Sequence, residues 1–114
     1  MSHFKTTLGK LLEQLEQQNW RHSVYVSEPE DISAEAACFV IDTDNADLEE
    51  DDFTPSIAAG NGLQEFLSVH DLQGVRAYLV NVGILGNIEA EVFAIRHYFK
   101  WDAYPSEEAL AVYT

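Results

Sequence analysis

Cysteine is almost missing from this 114-residue chain, and that absence alone removes several chemistries. With Cys38 as the single thiol there is no intramolecular disulfide and no cysteine zinc cluster. Cys38 sits in the apolar run Ala36 to Ile41, which predicts a buried structural thiol rather than a reactive one. Long apolar runs are also absent, and no stretch approaches the ~20 residues that span a bilayer. The first residues lack a charged region followed by a continuous apolar core, so no signal peptide is expected. These features predict a soluble, cytoplasmic chain. Cations are scarce, with six Lys and Arg against 20 Asp and Glu and a net charge of -14. Such a balance excludes a basic nucleic-acid footprint and disfavours anionic membranes. Neither Gly60-Asn-Gly62 nor Gly83-Ile-Leu-Gly86 has the context of a phosphate loop, and the four histidines form no His-Glu-x-x-His pair. No cofactor is expected.

The acids are there in abundance, and they are unevenly placed. Seven of the 11 residues from Asp42 to Asp52 are acidic. From His22 to Val75 there are 13 Asp and Glu and no Lys or Arg; elsewhere seven acids meet six bases. Nearly all of the net charge therefore belongs to the middle of the chain, a pattern that speaks of partners and solubility rather than of fold. The 46% apolar content, with 11% aromatics, still provides a core for one folded domain over residues 1–114.

Periodicity supplies the elements. Leu8, Leu11, Leu12 and Leu15 share one helical face, which predicts a helix from Phe4 to Asn19 with Thr6 or Thr7 as its cap and Trp20 packing back on the core. Ser23 to Ser27 reads as a strand and Ala36 to Ile41 as a second, antiparallel to it and covered on both faces. Ser33 to Ala37 has a competing helical reading, because Ala and Glu favour helix. The acidic stretch is expected to run as an extended loop that offers no core face. Ser68 opens a further helix, with Asp71 completing a capping box and Leu72, Val75, Leu79 and Val82 as its buried stripe. Gly83 suits its end. Asn87 caps a last helix from Ile88 to Trp101, where Ile88, Val92, Ile95 and Phe99 form one stripe, widened by Ala94, Tyr98 and Trp101. Gln64 to Leu67, or the tail after Pro105, offers a further strand, and the tail reads equally as a short helix. The predicted fold is α+β: a small antiparallel sheet of two to three strands packed by about three helices, one layer of helix on sheet.

Three kinds of chemistry can be weighed on these residues. A calcium loop needs oxygen ligands at positions 1, 3 and 5, glycine at 6 and a bidentate glutamate at 12. Starting at Asp42 puts Ala46 at position 5 and Phe53 at position 12, and starting at Asp44 puts Ala46 at position 3, so neither frame works. His70 beside Asp71 has the makings of a general base and its orienter, but no nucleophile lies nearby in sequence. His97, four residues after Phe93, reads as half-buried packing. The remaining reading is electrostatic capture: a one-sided field of acids attracts a basic surface and speeds association at low salt. Asp42, Asp44, Asp47, Glu49, Glu50, Asp51 and Asp52, with Phe53, are the candidate partner-binding residues. Trp20, Tyr25, Tyr98, Trp101 and Tyr104 are further aromatic anchors.

Several anchors together resemble a known group. They are Thr7-Leu8, Leu11-Leu12-Glu13, Trp20, Val40-Ile41-Asp42 with its trailing acids, Asn61-Gly62-Leu63, the run Leu67-Ser68-Val69-x-Asp71-Leu72-Gln73, and Tyr98-Phe99-x-Trp101-Asp102-Ala103-Tyr104. Across Thr7 to Tyr104 the chain resembles small acidic, uncharacterised bacterial proteins that look like immunity proteins of toxin systems. The resemblance carries over no catalytic residue. Together with charge and size it leads to the expectation of a non-catalytic antagonist that occludes the active surface of a basic toxin domain of nuclease type. It would use no metal and contact neither nucleic acid nor membrane directly. The alternatives are a DNA-mimicking anti-defence inhibitor and an acidic interaction module whose loop only keeps it soluble.

Overall fold

The computed structural model describes residues 3–51, 54–84 and 86–113. Four strands make one antiparallel sheet: β1 (His3–Thr7), β2 (Ser23–Val26), β3 (Ala37–Ile41) and β4 (Gln64–Ser68), in the order β1-β3-β2-β4. The α+β class and the antiparallel β2–β3 pair agree with the sequence reading. The strand count exceeds it, because His3 to Thr7 is not helix. Its five residues pair with β3 in unbroken register from His3↔Ile41 to Thr7↔Ala37. The leucine spacing marks only the part that is helical. Helix α1 (Leu8–Glu13) starts where Thr7 Oγ1 accepts from the Lys10 backbone N–H, and it passes into a 3₁₀ turn at Leu15–Gln17. Leu8, Leu11, Leu12 and Leu15 are all buried as their spacing required.

The sheet's pleat sorts its side chains between two faces. Val24, Val26, Cys38 and Val40 meet the main core, along with Leu72, Val75 and Leu79 of α3 (Val69–Asn81) and Ala90, Ala94 and Ile95 of α4 (Ile88–Trp101). A bulge in the β2–β4 ladder, where Val24 faces Leu67 and Tyr25 faces Glu65, puts the adjacent Phe66 and Leu67 in the same core. Tyr25, Phe39 and Ile41 point the other way. There they meet Ala58 and Ile57 of the short helix α2 (Ser56–Gly60), together with Ala46 and Leu63. β3 is thus covered on both faces, as its unbroken apolar run implied. The single helical layer is corrected to helices on one face and, on the other, α2 with part of the acidic segment.

Local signals in the third and fourth helices act as read. Ser68 and Asp71 form the reciprocal capping box of α3, Gly83 follows its end at φ +80, and Asn87 accepts from the Ala90 N–H to start α4. α4 ends at Asp102, in the left-handed region at φ 52, and the returning chain stacks Tyr104 on Tyr78 and Tyr98. Gly74 makes room for it: a Cβ there would lie 2.9 Å from the Tyr104 hydroxyl. The tail takes its helical alternative, α5 (Glu107–Leu110), with Leu110 buried.

α4 is turned on its axis from the predicted stripe. Ala90, Glu91, Ala94 and Ile95 are buried, Val92 and Phe99 are half-buried, and Ile88 and Trp101 are exposed at 44% and 63%. The rotation follows from Glu91, whose carboxylate accepts from Arg76 Nε (2.8 Å) and Nη2 (2.9 Å) of α3. A bidentate charged pair tolerates burial where either ion alone would not. Small alanines on either side let the two helices close around it. Trp20 also departs from expectation: it is 55% exposed, lying edge-on to His70 with Arg21 over its ring.

Candidate functional site

The acidic segment is folded. Asp42, just after β3, accepts from Asn45 Nδ2 at 2.7 Å and from the Asp44 backbone N–H at 3.2 Å, and His22 Nε2 lies 3.7 Å away. The Asn45 bond is the main cause of a carboxyl held below its usual range. The chain then turns. Leu48 bridges to Pro55, the Glu49 N–H donates to the Thr54 carbonyl at 2.7 Å, and the Ser56 N–H donates to the Asp47 carbonyl at 2.7 Å. Side chains tighten the same turn: Ser56 Oγ donates to Glu49 at 2.8 Å, while the Thr54 N–H and Oγ1 donate to Asp51 at 2.8 and 2.6 Å. Ala46, half-buried, packs against the smaller core under the sheet. The expectation of an extended loop without a core face is therefore corrected. Local hydrogen bonds and two apolar anchors, Ala46 and Ile57, outweigh the mutual repulsion of the acids.

This scaffold holds six of the eight predicted site residues, Asp42 to Asp51, within one hydrogen-bonded segment. Asp44, Asp47, Glu49, Glu50 and Asp51 are exposed and Asp42 is half-buried at their base. Asp52 and Phe53 lie outside the described residues. No Lys or Arg pairs with Asp44, Asp47, Glu49 or Glu50 among the described residues. No group of three or more His, Cys, Asp and Glu is gathered for a metal ion among the described residues either.

The other candidates are dispersed. Asp71 uses its carboxylate on the Ser68 N–H (3.1 Å) and the Tyr98 hydroxyl (3.5 Å), while His70 lies on Trp20, so the two do not form a base and its orienter. The same Asp71 charge raises the Tyr98 phenol above its ordinary value. Cys38 is fully buried and its thiol donates to the Ala36 carbonyl; burial pushes its pKa up to about 12, so it is the inert thiol expected. Tyr25 is also buried, and burial with the neighbouring Glu65 pushes its phenol up to about 12. That removes it from the exposed aromatic anchors, whereas Trp20, Trp101 and Tyr104 remain accessible.

A second feature escaped the sequence reading. Loop residues Ile32 to Glu35 and the outer side of α4 enclose a groove of about 660 Å³, reaching Trp101 and Tyr113. Its loop wall is pinned by the Gly9 N–H, which donates to the Ala34 carbonyl at 2.7 Å, an approach helped by the absence of a side chain at Gly9. The available signal was Arg96 and Lys100, an i, i+4 pair of cations in a chain that has so few.

No helix among the described residues is long and apolar enough to cross a membrane. No curated protein and no solved structure matches the chain. A family match covers residues 5–106, nearly the whole of the described fold from β1 to the start of α5, and by it the chain belongs to the family described as Domain of unknown function (DUF7716).

Proposed function

We propose that this protein is a non-catalytic acidic binding protein that captures a basic protein surface through the segment Asp42 to Asp51. In its most concrete form it is an immunity protein that occludes the active surface of a toxin nuclease. The observation that carries the reading is the ordered display of uncompensated charge. Asp44, Asp47, Glu49 and Glu50 are held at the surface by a hydrogen-bonded turn anchored to the sheet, with no Lys or Arg beside them among the described residues. Holding like charges together raises the energy of the folded state. A segment needed only for solubility gains nothing from that constraint, whereas a preorganised acidic surface meets a cationic partner at a smaller entropic cost. A nuclease has such a surface because it must hold phosphates.

The test replaces Asp44, Asp47, Glu49, Glu50 and Asp51 together by Asn or Gln. Each amide keeps one acceptor oxygen for Ser56 or Thr54, and the backbone bonds Glu49–Thr54 and Ser56–Asp47 are untouched, so the turn should survive. Wild-type protein should retain a basic partner from a lysate of the native host, and the variant should lose it. With that partner purified, association of the wild type should slow steeply with salt. The two proteins' rates should converge once the Debye length falls below its physiological ~8 Å. Equal association rates at low salt would reduce the segment to a solubilising surface.

A further inference from the structure

We infer that the groove between α4 and residues 32–35 binds a small amphipathic carboxylate, with its apolar body along α4 and its carboxylate between Arg96 and Lys100. The groove's volume of about 660 Å³ is within the usual range for small-molecule sites, and its walls carry more apolar than polar surface. Val92, Phe93 and Tyr113 supply much of that apolar lining, with Phe93 and Tyr113 in ring contact at 5.6 Å. Ile88 and Trp101, at its two ends along α4, are among the most exposed large apolar side chains of the protein.

The groove is electrically polarised. On α4, Glu89 lies in the first turn and Arg96 and Lys100 toward the C-terminal end, with Glu35 on the loop wall. Glu89 and Lys100 are separated by about 16 Å at 1.5 Å per residue. Neither cation has an ion-pair partner among the described residues; Lys100 rests 5.2 Å over the Trp101 ring. Lys100 stands in the last turn of α4, where the helix dipole accounts for a cation. Arg96 stands more than a turn further back, where the dipole does not account for it. In a chain with 20 acids, an arginine at the edge of an apolar groove with no ion-pair partner among the described residues, although Glu30 and Asp31 line the adjoining pocket with it, is suited to an anion from outside. His97 completes that end. Its Nδ1 is 2.7 Å from the Ala103 carbonyl, which can only accept, so Nδ1 carries the hydrogen and the ring is fixed in place. The acidic segment covers the opposite face of the sheet from α4, so the two surfaces are separate.

The experiment uses the full chain with Trp20→Phe, which leaves Trp101 as the sole tryptophan. Decanoate, decanol and decyltrimethylammonium are each titrated below their aggregation concentrations, followed by Trp101 emission and by calorimetry. Decanoate should bind saturably at one site and change the emission, at least about tenfold more tightly than either of the others. Arg96→Gln with Lys100→Gln should bring decanoate down to the level of decanol while far-UV circular dichroism stays unchanged. The inference is overturned by an absence of saturable binding, by equal affinity for decanoate and decanol, or by an undiminished affinity in the double variant. A hydrophobic peptide with a free C-terminus that saturates the groove where decanoate does not would also overturn it, because the occupant would then be a protein chain.

Discussion

On the helix side of the sheet, 20 buried residues among those described, drawn chiefly from three of the four strands and from α1, α3, α4 and α5, form one continuous core. On the other side, among the described residues, only Tyr25, Ile41 and Ala58 are buried in the smaller cluster, with Phe39, Ala46, Ile57 and Leu63 half-covering them. The two faces also differ in how they handle charge. Between the helices, Glu91 is buried and answered by two bonds from Arg76, with Glu16 3.6 Å from the same guanidinium. Under the sheet, the acids lie at or near the surface, and Asn45, Thr54, Ser56, nearby N–H groups and, at Asp42, His22 are among their partners. The thick core lets the thin face hold an acidic surface in shape at a small cost in stability. That division predicts unequal responses to equal damage.

The largest effect belongs to the helix side. Leu72 is fully buried in α3, and Leu72→Ala should destabilise by about 4 kcal/mol through lost transfer energy and a cavity. Ile57, half-buried on the thin face, should cost about 1 kcal/mol when cut to alanine. Denaturant midpoints of the two variants decide it. Similar losses would mean that the acidic segment and α2 are integral to folding, and the contrast between the faces would fall.

Next comes the charge between the helices. Arg76→Ala leaves the Glu91 carboxylate buried without its partner. The loss should be about 3 kcal/mol, near the low end for buried pairs because Arg76 keeps 19% of its side-chain exposure. The added change Glu91→Leu removes the orphaned charge and should recover most of that loss. If Arg76→Ala is nearly neutral, the pair does not set the rotation of α4. The same bonds to Glu91 raise the already high pKa of Arg76, so the guanidinium keeps its charge at every pH where the fold survives.

Much of this architecture could be read from local signals. The Ser68–Asp71 box, the Asn87 cap, Gly83 and the leucines from Leu8 to Leu15 all act in the structure as the sequence implied, because each acts within one or two helical turns. The errors share a different cause. His3 to Thr7 became a strand through pairing with β3, 30 or more residues away, and no short window of the sequence contains that pairing. α4 turned because Glu91 found Arg76, a contact between helices that a hydrophobicity pattern counts against burial. The acidic residues were legible as a candidate surface, but their shape was not: the Leu48–Pro55 bridge and the anchoring of Ala46 arise only once the sheet offers its second face. The groove was missed for the same reason, since its loop wall is carried there by the Gly9 contact with Ala34.

The smallest effect distinguishes a supporting acid from a displayed one. Asp42 is the hinge between the two classes, with its oxygens accepting from Asn45 and the Asp44 N–H and with His22 close by. Its pKa is lowered in the folded state, first by the Asn45 bond. A carboxyl with a depressed folded pKa contributes stability above its unfolded value of about 3.9, and that contribution fades as the pH falls through the lower folded value. The displayed acids work in the opposite direction, because their mutual repulsion opposes the compact state. Asp42→Asn should therefore melt below the wild type at pH 7. The gap should persist down to the ordinary carboxylate range and close below it. Taking the difference between the two proteins at each pH cancels the repulsion common to both. The matching variant Asp44→Asn, whose side chain is exposed, should instead melt at or slightly above the wild type at pH 7. If Asp42→Asn behaves like Asp44→Asn across the whole range, the Asn45 turn does not anchor the acidic segment, and its ordered display must rest on the hydrogen-bonded turn around Leu48 and Pro55 and on the packing of Ala46.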